Sequence, residues 1–200
     1  MEKQMFDFYK NALSGSLCEP LCASYKDEWR ACGDDKLKMM KLVLRQQSLP
    51  YFHTFCYKGK GLTKAYCKRE FKDYINGYVV YDADKVDGYT YAMYIDWCFD
   101  NDIELNVNVA SVMWTKNANI IIPETKCPIL YIGNKSDVYI SMDGYNFTTI
   151  YLFDESKVTI DCADETCKLL VYKFSDKCVV EKGKFCLCND IKEYKKPLRL

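Results

Sequence analysis

The sequence predicts an α+β chain: an N-terminal helical region with a β-hairpin, followed by a short C-terminal β-solenoid of about four 20-residue coils. Two observations carry this. The first is an echo in the C-terminal half, where "SDVYIS" at 136 returns as "SKVTID" at 156 and as "DKCVVE" at 176. The second is a change of hydrophobic period near residue 78, from helical spacing to alternation, which separates a helical head from a strand-forming tail.

The echo extends to whole columns. Val112, Ile132, Leu152 and Tyr172 are spaced by 20, as are Ala110, Leu130, Ile150 and Leu170, and Val107, Cys127, Phe147 and Cys167. Ala118, Val138, Val158 and Cys178 form a fourth column, and Ile120, Ile140, Ile160 and Val180 a fifth. Short alternating runs joined by polar corners such as Asp154-Glu155-Ser156, repeating at this period, are the pattern of stacked coils in which only neighbours touch. The expected solenoid core therefore includes Val112, Ile132, Leu152, Val138, Val158, Ile140 and Ile160, with Tyr139 facing outward.

The head reads as a series of short helices. Lys3–Leu13 carries Phe6, Tyr9 and Leu13 at helical spacing and ends at Ser14-Gly15-Ser16. Tyr25–Cys32 closes at Gly33, and Asp34-Asp35 is placed to cap a helix over Lys36–Gln47 whose Leu37, Met40, Val43 and Leu44 share a face. Pro50 is read as its stop, Gly59-Lys60-Gly61 as a turn, and Thr63 as the cap of a helix reaching Tyr74. "YVVYDADKVDGYTYAMYI" from Tyr78 predicts the hairpin. The expected organisation is residues 1–97 as head, 98–185 as solenoid, and 186–200 as a C-terminal cap or docking tail.

Lys+Arg and Asp+Glu both number 28, so net charge favours no partner, but the charges are segregated. Residues 36–72 hold ten Lys or Arg against Glu70 alone, and residues 100–165 hold eleven acids against four lysines. Such segregation favours electrostatic docking. The candidate docking face is Lys58, Lys60, Lys64, Lys68 and Arg69. The N-terminus lacks the apolar stretch of a signal peptide and no run of 18 apolar residues occurs, so neither secretion nor a membrane span is expected. Twelve Cys without a secretion signal predict free thiols in a reducing cytoplasm.

Motifs with chemical potential are few. Cys18 and Cys22 with Cys186 and Cys188 could supply four thiolates to zinc if the chain ends met, but Cys127, Cys162, Cys167 and Cys178 fall in apolar columns, where Cys acts as a small hydrophobe. His53, the only histidine, lies three residues from Cys56, in a segment better read as packed helix than as a nucleophile pair. Gly59-Lys60-Gly61 lacks the spacing of a phosphate loop. Asp137 is followed at the same position by Lys157 and Lys177, and Asp143, Asp161 and Asp164 fall at different corners, so no acidic ladder for carbohydrate chemistry forms. The basic span is interleaved with Tyr51, Phe52, Phe55, Tyr57, Tyr66 and Phe71, a pattern that suits either single-stranded nucleic acid or a helical core with solvated lysines.

The layout, a head containing "LPYFHTFCYKGKGLTKAYCKREFKDYINGYVV" and a repeated tail of "SDVYIS/SKVTID" type, resembles small helical-head plus β-solenoid proteins of gut Bacteroides-type bacteria and their tailed phages, crAss-like phages included. The resemblance brings no catalytic residues. It implies a non-enzymatic structural or binding module without a cofactor. Such a module would be a virion component, either a capsid-decorating or a head-fibre protein, that docks by its head and projects a rigid solenoid. The implied partners are other capsid proteins or further copies of the chain, a trimer included, and no membrane. The alternative is a cytosolic effector or regulator that binds nucleic acid or an acidic protein through residues 36–72. A carbohydrate-active β-helix enzyme is the third reading.

Overall fold

The computed structural model describes residues 23–45, 48–75, 90–183, 185, 186 and 188–193. The expected helix over Lys3–Leu13, the hairpin arm at 78–81 and the tail beyond Glu193 lie outside these residues.

Among the described residues four helices precede the first strand: α1 (Ala23–Ala31), α2 (Lys36–Val43), α3 (Leu49–Tyr57) and α4 (Lys64–Glu70). Their ends follow local chemistry. Asp35 accepts a hydrogen bond from Lys38 N, 3.0 Å away, and Thr63 accepts from Tyr66 N at 3.2 Å, so each side chain satisfies an otherwise orphaned amide. Gly33 and Gly59 adopt φ of 53° and 67° just past α1 and α3, where a side chain would strain the backbone. Three details differ from the sequence reading, one being that α4 ends at Glu70 and not at Tyr74. Helix α2 ends at Val43, well before Pro50, which instead stands in the first turn of α3, where a missing N–H costs nothing. Leu37 is exposed, and the buried face of α2 is Met39, Met40, Leu42 and Val43.

From Tyr91 onward the chain is a parallel β-solenoid. One sheet, A, holds six strands in the order β1 (Tyr91–Ile95), β3 (Val109–Met113), β5 (Ile129–Gly133), β7 (Phe147–Leu152), β9 (Lys168–Lys173) and β11 (Cys188–Glu193). The other sheet, B, holds β2 (Ile103–Glu104), β4 (Ala118–Ile122), β6 (Asp137–Met142), β8 (Lys157–Cys162) and β10 (Val179–Lys182). Five two-strand turns and one further strand are thus present, the extra turn lying at the N-terminal end. Its first strand, Tyr91–Ile95, is the second arm of the expected hairpin. Here it pairs in parallel with Val109–Met113, from Tyr91 opposite Val109 to Ile95 opposite Met113.

The inward columns form one continuous apolar core. Val112, Ile132, Leu152, Val138, Val158, Ile140 and Ile160 are all fully buried, and burial of each such side chain contributes roughly 1.5–3 kcal/mol. The period is not constant, however. Ile129 faces Thr149, but Thr149 faces Leu170, a step of 21, and Lys157 faces Val179, a step of 22. Corners lengthened in the last turns shift the fourth member of every column. Ile150 pairs with Val171 rather than Leu170, Leu152 with Lys173 rather than Tyr172, Val158 with Val180 rather than Cys178, and Ile160 with Lys182 rather than Val180. Of the Val107–Cys127–Phe147 column, Cys127 and Phe147 are exposed, while Val107 packs half-buried against the solenoid core. Because a one-residue slip exchanges the two faces of a strand, the step of 21 exchanges core and surface in β9, whereas the two-residue slip in β10 keeps its faces and moves the column along by one pair.

The corners hold a second, polar ladder. Ser136 Oγ donates to Gly133 O at 2.7 Å and accepts from Thr115 N at 3.4 Å, while Ser136 N donates to Ser156 Oγ at 3.1 Å. Cys178 takes the same corner position one turn on, its thiol 3.4 Å from Leu152 O, and Cys167 reaches Asp143 O at 3.2 Å at the opposite corner. These thiols stand in for the corner hydroxyls and amides of earlier turns, and the cysteines Cys32, Cys56, Cys67, Cys98, Cys127, Cys162, Cys167, Cys178 and Cys186 are unbridged.

Candidate docking surface

The head does not sit at an end of the solenoid. Its core continues onto the outer face of sheet A, where Tyr91, Met93, Ile95, Val109, Met113, Tyr131 and Phe153 join Met40, Leu49, Phe52, Phe55 and Phe71 in one cluster. Outward columns of sheet A explain the fit. One runs Ser111–Tyr131–Tyr151–Tyr172, with the last three rings stacked at centroid distances of 4.8 and 5.0 Å. The next carries Met113, Gly133 and Phe153. Ser111 and Gly133 are the small members, and together they leave a notch in a bulky face.

His53 fills that notch. Its Nε2 shares a 2.9 Å hydrogen bond with Ser111 Oγ, its ring stacks on Phe153 at 5.2 Å and 11°, and Asn134 Nδ2 donates to the His53 carbonyl at 3.1 Å. A Cβ at Gly133 would fall against the imidazole, so glycine is required here for close approach. Burial holds the imidazole down to about 3, because the charged form would be desolvated without a counter-ion. The histidine bonds to Ser111 and not to Cys56, whose thiol burial pushes well above its usual range. A nucleophile pair between His53 and Cys56 is therefore absent from this packing.

A second junction joins the end of α3 to the corner Asp154-Glu155. Tyr57 Oη donates to Glu155 Oε1 at 2.8 Å, and Lys177 and Lys135 reach the same carboxylate at 3.1 and 3.3 Å. These donors, Tyr57 first, hold the Glu155 carboxyl at about 2 and lift the Tyr57 hydroxyl to about 12. Asp154 accepts from Asn134 N at 3.0 Å, yet burial pushes its carboxyl up to about 6, with the neighbouring Glu155 charge adding to the effect.

The five residues of the candidate basic face divide. Lys58, Lys60, Lys68 and Arg69 are exposed. Lys64 is half-buried in an ion pair with Asp96, Arg69 pairs with Glu70 at 2.6 Å and lies 5.2 Å over the Tyr66 ring, and Lys58 faces the Asp154 charge. The interleaved aromatics do not form a stacking platform: Phe52, Phe55, Tyr66 and Phe71 are core. Opposite the head, the outward positions of sheet B and its leading edge carry Asp102, Glu104, Asp137, Asp161 and Glu181 against Lys157 alone, which pairs with Glu181 at 2.9 Å.

Two further sequence candidates can be placed. Cys18 and Cys22 lie outside the described residues, and among those described no group of three or more His, Cys, Asp or Glu is arranged to hold a metal. Gly59-Lys60-Gly61 is a turn after α3, not the entry to a helix from a strand. Among the described residues no helix is long and apolar enough to cross a membrane. The notch residues Ser111 and Gly133 were missed at the level of sequence, although Gly133 is legible once Met113, Gly133 and Phe153 are written as one outward column. Glu155 gave no such signal, because its partner Tyr57 is 98 residues away. No protein family, curated protein or solved structure matches this chain.

Proposed function

We propose that the chain is a non-enzymatic docking module that binds an acidic protein surface through the exposed basic residues of its head, and that it does so as a virion component of the capsid-decorating or head-fibre kind. The supporting observation is the clamping of the head along the flank of the solenoid by His53 in the Ser111–Gly133 notch. A head fixed in this way presents Lys58, Lys60, Lys68 and Arg69 from one stiff body, so little conformational freedom is lost on docking. The phage setting comes from the resemblance of the layout alone. Because the head lies on a flank, docking by it would set the solenoid along the partner surface, with sheet B outward, and not as a projecting spacer.

The test is quantitative mass spectrometry of purified particles from the source genome, set beside oligonucleotide binding by the isolated chain at physiological salt. The chain should be present at a fixed ratio to the major capsid protein and lost from particles when Lys58, Lys60 and Lys68 become Glu. Absence from purified particles, or lysine-dependent binding of single-stranded DNA by the isolated chain, would overturn the proposal.

A further inference from the structure

We infer that the chain associates with itself head to flank, the basic head of one copy seating on the acidic outer face of sheet B of the next. This deepens the docking-module reading by naming one partner of the same head. The head covers the outer face of sheet A, so the outer face of sheet B lies on the opposite side of the coil stack. On that side Asp102, Glu104, Asp137, Asp161 and Glu181 face Lys157 alone, whereas residues 36–72 carry ten cations and one acid. Lys60, Lys68 and Lys72 are exposed and have no ion-pair partner among the described residues. The net charge of the whole chain is zero, so no long-range repulsion opposes association of identical copies.

The solenoid also closes off the competing geometry. The core column Ile120–Ile140–Ile160 ends in Lys182 on the last strand of sheet B, whereas Val112–Ile132–Leu152 continues through Lys173 to Glu193 on β11. A lysine in the inward position of a terminal strand is a device that disfavours edge-to-edge stacking. End-on fusion at that edge of sheet B would bring Lys182 toward an apolar column. Flank docking carries no such penalty, and because its two surfaces differ it is heterologous, building rings or open chains and not a closed two-fold dimer.

The test is light scattering of the full chain at about 0.02 M and about 0.5 M salt, where screening lengths differ several-fold. At low salt the mean mass should rise with protein concentration beyond that of a dimer, and at high salt it should fall to the monomer. Lys60→Glu with Lys68→Glu, or Asp102→Lys with Glu104→Lys, should each abolish the low-salt growth. All four changes in one chain should restore it. Lys116→Glu with Lys126→Glu, exposed corner positions on neither face, should leave it unchanged. A chain that stays monomeric at low salt, an association that persists at high salt, or a loss caused equally by the corner pair would overturn the inference. Particle incorporation is measured separately, so the two readings stand or fall on different data.

Discussion

Gly133→Ala tests how the head is attached. The substitution adds one methyl group to a β-strand residue whose backbone any amino acid can adopt, so its effect is steric. The new Cβ would press on the His53 ring, which stacks on Phe153 on one side and is held to Ser111 Oγ at 2.9 Å. Overpacking of this kind costs about 1–3 kcal/mol, and a ring that retreats loses a hydrogen bond worth about 1 kcal/mol. Destabilisation of about 2–4 kcal/mol is expected in urea unfolding at pH 7.5, with the slope unchanged. His53→Ala removes a fully buried ring and should cost about 2–5 kcal/mol by itself. The double variant should be less destabilised than the sum of the two by about 1–3 kcal/mol, because the clash vanishes with the ring. Gly144→Ala is the control. Its Cβ would meet the exposed Asp164 carboxylate at 2.9 Å, and that carboxylate can swing aside. Additive effects, or a Gly133→Ala variant within about 0.5 kcal/mol of the parent, would refute the notch.

Two further outcomes follow from the same packing. Ile140→Asp places an unpaired carboxylate in a fully buried column and should abolish cooperative unfolding of the solenoid, whereas Asp137→Lys on the outward side of the same strand should shift the urea midpoint little; circular dichroism reads both. The pH profile is shaped by two opposed groups. The depressed His53 pKa of about 3 gives stability that is complete above the unfolded value of about 6.5 and is lost as pH falls below it, about 2 kcal/mol between pH 7 and 5. The raised Asp154 pKa of about 6 acts the other way, since the folded state takes up the proton first, and returns about 1 kcal/mol over the same range. Asp154→Asn keeps an acceptor for Asn134 N and removes this compensation. Its stability should therefore fall more steeply than the parent's from pH 7 to 5 in urea titrations, and a shallower fall would contradict the assignment.

The solenoid was legible because its determinant is local and repeated: the same apolar columns recur every 20 residues, and seven residues placed in the core from spacing are fully buried. The reading failed where the period changed. Spacing cannot reveal that the corners before Leu170 and Val179 each gain a residue, and so Cys178 was set under Val158 when it occupies the corner of Ser136 and Ser156. In the head, cap residues Asp35 and Thr63 announced themselves, since capping is a contact over three residues. The placement of the head on sheet A was not legible. It depends on His53 meeting Ser111, 58 residues away, and on the accident that a serine and a glycine are neighbours across two strands. The docking lysines were legible as a charge cluster. That Lys64 pairs with Asp96 and Arg69 with Glu70 became clear only in three dimensions.

His53 joins head and solenoid into one body, and the chain contains no other histidine. A proton NMR titration of the native protein therefore reads a single imidazole without assignment. Its ring resonances should not move between pH 8 and about 5, and should show cross-relaxation to the Gly133 α-protons and the Phe153 ring. An imidazole that titrates near 6.5 in the folded protein, the value of a solvent-exposed histidine, would contradict this packing.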